Sequence, residues 1–191
     1  MNDQSQPENS KMQNIVLIGF MGSGKSTIGR EIHKNLGYHL VDTDHLIEER
    51  EGMSIPEIFE KKGEAAFREM ETDILRQMIH QKTNHHIIST GGGMPANPEN
   101  QVILKQLGFV IWLSCSVEDI YRRTSRSANR PLLDCNDPQA VIRKLLNKRA
   151  PIYKEASHIK INTSKLDYNE ILCGILESAQ YYFGTVQQTA T

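Results

Sequence analysis

Gly19, Gly24, Lys25 and Ser26 stand at the spacing G-x-x-x-x-G-K-[ST] within IGFMGSGKSTIG, residues Ile18–Gly29. That spacing makes a loop that cradles the phosphates of a nucleoside triphosphate. Gly22 and Gly24 let backbone N–H groups turn inward around anionic oxygens, and Ser23 completes the loop between them. A helix that starts at Lys25 and continues through Thr27 adds its positive N-terminal end. Lys25 is placed to reach the β- and γ-phosphates, and Ser26 to ligate Mg²⁺. Motors, switches and small-molecule kinases all use such a loop, so its fate depends on the rest of the chain.

A GTP-driven switch needs Asn-Lys-x-Asp to read guanine. The nearest stretch is Asn147-Lys148-Arg149-Ala150, which lacks the Asp, and D-x-x-G occurs nowhere. A motor ends a strand in Asp-Glu; here the corresponding strand ends in Ser89-Thr90-Gly91. What remains is transfer of a γ-phosphoryl group to a small acceptor.

Such a transfer needs groups for the acceptor. Asp42-Thr43-Asp44 follows a strand, so two carboxylates can face the loop, one near Mg²⁺ and one accepting a hydroxyl proton. Asp44 as a plain helix cap is the alternative. Gly91, Gly92 and Gly93 make a backbone that a ligand can approach closely, or a simple flexible turn. Arg68 lies three residues before Glu71, a helical spacing at which the two brace each other or form a solvated pair. A braced Arg can offer its planar fork to a substrate carboxylate. Arg130, in Arg130-Pro131-Leu132-Leu133, is spaced to swing onto the transferring phosphate. Arg123 and Arg126 flank it, and Arg149 lies near a helix end. His85 and His86 read as exposed turn residues and not as metal ligands.

These residues must be held by alternating strands and helices. Strands are expected at Asn14–Gly19, Tyr38–Val41, His86–Ser89, Phe109–Leu113 and His158–Asn162, from continuous apolar, β-branched runs. Helices are expected at Lys25–Leu36, Asp44–Glu51, Ser54–Lys62, Glu64–His80, from Ser116 to Thr124, Pro138–Tyr153 and Tyr168–Phe183. The pattern predicts an α/β fold, a five-stranded parallel sheet flanked by helices on both faces, with ligands at the carboxyl ends of the strands. Residues 44–80 read as a small substrate-binding region. Residues 124–137 (with the polar, aperiodic SRSANRPLLDCND) read as a lid. One domain over 13–184 is expected, with polar tails at 1–12 and 185–191.

The chain has 191 residues with 38% hydrophobic and 24% charged, enough for one folded core. The net charge of −1 offers no basic field, so nucleic acid is not an expected partner. No apolar run reaches the ~20 residues of a membrane span, and no signal core precedes the domain. Cys115, Cys135 and Cys173 lie far apart, with no C-x-x-C, which suits free thiols in a reducing cytoplasm.

The set as a whole resembles the shikimate kinase family. The resemblance rests on GFMGSGKSTIGR (Gly19–Arg30), the DTD of Asp42–Asp44 and IPEIFEKKGEAAFREME (Ile55–Glu71). It continues with STGGG (Ser89–Gly93), RPLL (Arg130–Leu133) and RAPIY (Arg149–Tyr153), in the family's order. It implies a three-layer P-loop kinase fold, similar to nucleoside-monophosphate kinases, with strand order 2-3-1-4-5. It implies ATP-dependent phosphorylation of the 3-hydroxyl of shikimate in the route to chorismate and aromatic amino acids. Under it, Asp44 contacts the shikimate hydroxyls and acts as, or assists, the base. Arg68 and Arg149 bind the carboxylate, and Glu71 holds Arg68. Gly91, Gly92 and Gly93 line the substrate, with Ile55, Phe59 and Phe67 as an apolar wall. Lys25 and Arg130 stabilise the phosphates, Arg123 and the stretch Asn162–Lys165 flank adenine, Ser26 ligates Mg²⁺ and Asp42 assists through water. The partners implied are ATP and shikimate, for a monomeric cytoplasmic enzyme. A related gluconate or nucleotide kinase, and a non-enzymatic nucleotide-binding module, are the alternatives.

Overall fold

β1, Asn14–Ile18, is buried along its whole length, as an apolar run with both faces covered must be. In the computed structural model, which describes residues 12–125 and 137–188, it sits at the centre of a five-stranded sheet. The other strands are β2, His39–Asp42; β3, His86–Ser89; β4, Gly108–Ser114; and β5, Ile159–Asn162. All are parallel, in the order β2-β3-β1-β4-β5.

Alternation along β1 sorts the core into two layers. Ile15 and Leu17 pack with Ile28 and Ile32 of α1 (Lys25–Leu36) and Ile171 and Ile175 of α7 (Tyr168–Gln188). Val16 and Ile18 face the other way, onto α3 (Ile55–His80), α4 (Pro98–Leu107) and α6 (Pro138–Ala156). Two shorter helices, α2 (Thr43–Glu51) and α5 (Val117–Thr124), follow the carboxyl ends of β2 and β4. The fully buried side chain of Asn14 ties down the opposite end of the sheet. Its amide donates to the carbonyls of Thr83 and Leu107, both at 2.7 Å, and its oxygen accepts from the His86 N–H at 2.9 Å.

Two expectations need correction and one is met. The helices expected at Ser54–Lys62 and Glu64–His80 are both present, running on from one another as α3 across a non-helical break at Gly63. Gly63 bends it with φ 81° and ψ 169°, a conformation open almost only to glycine. Helix α4 was not expected at all. Its signal is present: Asn97 caps it by accepting from the Glu99 N–H at 3.0 Å, Pro98 occupies the first turn, and Ile103, Leu104 and Leu107 supply a buried face. Helix α7 runs to Gln188, past the expected end at Phe183. The proposed lid falls mostly on residues 126–136, outside those described. Among the described residues no helix is long and apolar enough to cross a membrane.

Candidate active site

The carboxyl end of β1 opens into the loop Gly19–Gly24, and helix α1 starts directly behind it. Gly24, with φ 100°, occupies the N-cap of α1 in a left-handed conformation and turns the chain into the helix. The Ser23 side chain is buried, and its hydroxyl has no hydrogen-bond partner among the described residues. Lys25 folds back over the loop and donates to the carbonyls of Gly19 (2.9 Å) and Phe20 (3.1 Å). Ser26 and Thr27 are exposed at the start of the helix.

Arg123, at the end of α5, closes one side of this loop. It donates to the Gly22 carbonyl at 3.1 Å and to the Thr163 carbonyl at 3.2 Å. Thr163 in turn donates to the Ser23 carbonyl at 3.1 Å. The loop after β5 is thereby stitched to the phosphate loop, across more than a hundred residues of sequence.

β2 delivers the carboxylates. Asp42, and not Asp44, caps α2: its Oδ1 accepts from the Asp44 N–H at 3.1 Å. Its Oδ2 accepts from the hydroxyls of Ser89 (3.1 Å) and Ser26 (3.4 Å), so Asp42 and Ser26 form one cluster of hard oxygens. Asp44 lies in the first turn of α2, with its Oδ1 buried and without a hydrogen-bond partner among the described residues. Burial and the neighbouring Asp42 charge push its carboxyl up to about 6, against the opposing pull of Lys25.

α3 delivers the guanidinium of Arg68. Arg68 pairs with the buried Glu71 at 2.8 Å and with Glu64 at 2.9 Å, four residues before it. Glu64 was not singled out from the sequence, although its spacing is the favoured i,i+4 order. Burial also raises the Glu71 carboxyl, while Arg68 opposes that shift. The rings of Phe59 and Phe67 meet at 4.9 Å across the kink, forming an apolar wall beside Arg68.

The triglycine after β3 is where these parts converge. Gly91 donates its N–H to the Thr43 hydroxyl at 3.1 Å. A Cβ on Gly91 would collide with the Asp44 carboxylate and stand 2.9 Å from Glu71 Oε1. On Gly92 it would stand 3.3 Å from the Gly19 carbonyl, and on Gly93 2.5 Å from Arg68 Nη1. Three sets of groups press on the same backbone, most closely at Gly91 and Gly93, where a side chain would collide. Arg149 arrives from α6, its guanidinium 5.4 Å from the Phe20 ring centre and its Nη1 3.4 Å from the Gly92 carbonyl. Arg68 and Arg149, on separate helices, thus abut consecutive glycines. His85 is exposed and His86 half-buried, away from this cluster. Arg126 and Arg130 lie outside the described residues.

A phosphate loop with no guanine reader and no Asp-Glu strand end, facing carboxylates and guanidinium groups across a triglycine, serves transfer of a phosphoryl group. The fold and the site define a P-loop kinase that acts on a small acceptor. Within that class the chain belongs to the shikimate kinase family: residues 21–180 match the family model described as shikimate kinase. A shikimate kinase of Bordetella avium is 40% identical over 168 residues, covering 88% of this chain and 79% of that protein. One from a Marinomonas species is 38% identical over 88% of this chain and 92% of its own length. Among solved structures, shikimate kinase from Acinetobacter baumannii in complex with shikimate superposes with a TM-score of 0.81 at 38% identity, covering 90% of this chain and 95% of that one.

Proposed function

We propose that this protein transfers the γ-phosphoryl group of ATP to the 3-hydroxyl of shikimate, giving shikimate 3-phosphate and ADP. One observation carries the reading: at Gly92 the phosphate loop and the acceptor clamp meet, since a Cβ there would stand 3.3 Å from the Gly19 carbonyl and 3.6 Å from Arg149 Nη1. The donor and acceptor halves therefore share a wall, which suits in-line transfer between two bound substrates.

In this reading Gly22, Ser23, Gly24, Lys25, Ser26 and Thr27 hold the triphosphate, and Arg123 flanks the base. Arg68 and Arg149 form a cationic clamp for the shikimate carboxylate. Phe59 and Phe67 cover the apolar side of the ring, and Gly91, Gly92 and Gly93 offer backbone contacts. Asp44, poised near neutrality by its burial, accepts the hydroxyl proton as the bond to phosphorus forms. Lys25 leaves the loop carbonyls for the β- and γ-phosphates. Arg130, beyond the described residues, retains its assignment to the transferring phosphate.

The Ser26–Asp42 cluster fits Mg²⁺, which when bound would neutralise phosphate charge. Among the described residues no group of three or more His, Cys, Asp or Glu could hold an ion by itself. Such a shell suits an ion that keeps waters and binds with its nucleotide. The catalytic unit spans residues 13–184, with α7 continuing to Gln188, acts as a monomer and works in the cytoplasm. Free thiols at Cys115 and Cys173 support that compartment.

The test is ADP release measured side by side with shikimate, gluconate, AMP and CMP. Turnover with shikimate alone is expected. Turnover with one of the others and not with shikimate overturns the reading.

A further inference from the structure

Tyr153 has no role in the site as assigned above, yet it heads the fully buried side chains by size, with 1% of its surface exposed. It sits on α6 one turn after Arg149. Its hydroxyl donates to the Gly92 carbonyl at 2.6 Å, the same oxygen that Arg149 approaches. Its ring is braced against Trp112 of β4, with centres 5.8 Å apart. Burial pushes the phenol above its ordinary range, so the hydroxyl keeps its proton, and its donor role, at neutral pH.

The peptide that follows Gly92 makes this bond more than a packing detail. All peptide bonds described are trans, so the carbonyl of Gly92 and the N–H of Gly93 point in opposite directions. Pinning the carbonyl toward α6 sends the Gly93 N–H away from α6. That N–H has no acceptor among the described residues. The two residues on either side of the phosphate-loop contact, Gly91 and Gly93, are the ones pressed by Asp44 and Arg68. A glycine triplet has little intrinsic preference of its own, so its orientation has to be imposed from outside.

We propose that Tyr153 is a positioning residue for the acceptor: its hydroxyl fixes the Gly92–Gly93 peptide, holding the Gly93 N–H toward the bound substrate. The proposal rests on the shikimate reading above. It predicts an effect confined to the acceptor half, because the phosphate loop keeps its own bonds to Arg123 and Thr163.

The test is Tyr153→Phe in the full chain, which keeps the ring and removes the donor. The KM for shikimate should rise about five- to tenfold, the scale of one net hydrogen bond. The KM for ATP should stay within twofold. Ile142→Val, which trims another fully buried side chain of α6, should lower the melting temperature without that split. In parallel, amide exchange is followed at Met94 and Ala96, whose N–H groups bond to the carbonyls of Gly91 and Gly93. Protection there should fall about fivefold in Tyr153→Phe without substrate. A shikimate KM within twofold of wild type, or equal rises for both substrates, overturns the proposal. If the wild-type protein does not turn over shikimate, the functional reading has failed. The exchange arm then decides alone, and unchanged protection rejects the role of Tyr153.

Discussion

Asp44 and Glu71 each turn toward the α-carbon of Gly91 a buried carboxylate oxygen that has no hydrogen-bond partner among the described residues. The two acids come from different helices, α2 and α3; burial raises the proton affinity of both, and the Asp44 charge adds to that of Glu71. Arg68 compensates Glu71 at 2.8 Å, while Asp44 has only more distant cations. Asp44 is therefore the acid left poised to take a proton.

Asp44 should govern the acid limb of the reaction. With its carboxyl held at about 6, kcat/KM for shikimate should fall as pH drops through 6, and Asp44→Asn should lower turnover about 10²–10⁴-fold while ATP affinity changes little. Stability should move the other way. The folded value of about 6 lies above the ordinary 3.8, so between those values the folded protein holds a proton that the unfolded chain has lost. Wild-type stability from this group is thus gained as pH falls through that window, and the ionised form is a cost above it. Asp44→Asn should melt a few degrees higher than wild type at pH 7.5, with the gap closing below about pH 4. Turnover within threefold of wild type would remove Asp44 from the proton path.

Arg68 should matter twice. Arg68→Ala removes a carboxylate partner of the acceptor, so the KM for shikimate should rise at least tenfold with the KM for ATP unchanged. It also leaves Glu71, 1% exposed, without its cation. Loss of one member of such a pair costs about 3–5 kcal/mol. Arg68→Ala combined with Glu71→Gln should recover much of that stability and none of the shikimate affinity. Thermal melts and initial rates on the four proteins of this cycle separate the two effects.

Lys25→Met should abolish phosphoryl transfer and leave the melting temperature within a few degrees. Its bonds to the Gly19 and Phe20 carbonyls are partly exposed and modest in worth. Single-turnover assays with radiolabelled ATP provide the measurement. Retained transfer would remove Lys25 from the phosphate site.

Gly63 should be sensitive although nothing crowds it. A Cβ there would meet no atom within 4 Å, so any cost is in the backbone, which holds φ 81°. Gly63→Ala should destabilise the protein by about 1–3 kcal/mol. The kink also sets Phe59 against Phe67, next to Arg68. Relaxing it should raise the KM for shikimate and spare that for ATP. A thermal melt with paired KM measurements tests this.

The phosphate loop, the Asp42–Asp44 pair, the triglycine and the alternation that makes a parallel sheet were all legible in the chain. They are local: each is written in residues that neighbour one another, and their spacing limits what the backbone there can do. The break at Gly63 was legible as well, and its non-helical φ and ψ divide α3 there. What was missed was local too. Helix α4 carries its cap at Asn97, but its apolar face is short and has meaning only against Ile58 and Leu75 of α3 in the same core layer. The cap of α2 was misplaced as well: Asp44 reads as its candidate cap, and Asp42 takes that place.

The sequence by itself determined the chemistry on offer: a triphosphate cradle, two acids, several guanidinium groups and no switch or motor apparatus. Only the tertiary structure decided which of these meet. It set Arg68 and Arg149, 81 positions apart, against adjacent glycines, and brought Arg123 and Thr163 onto the phosphate loop. It also gave Asp44 its raised proton affinity. The reason is physical: dihedral preferences and periodicity act over a few residues, whereas contact and desolvation depend on which strands end side by side.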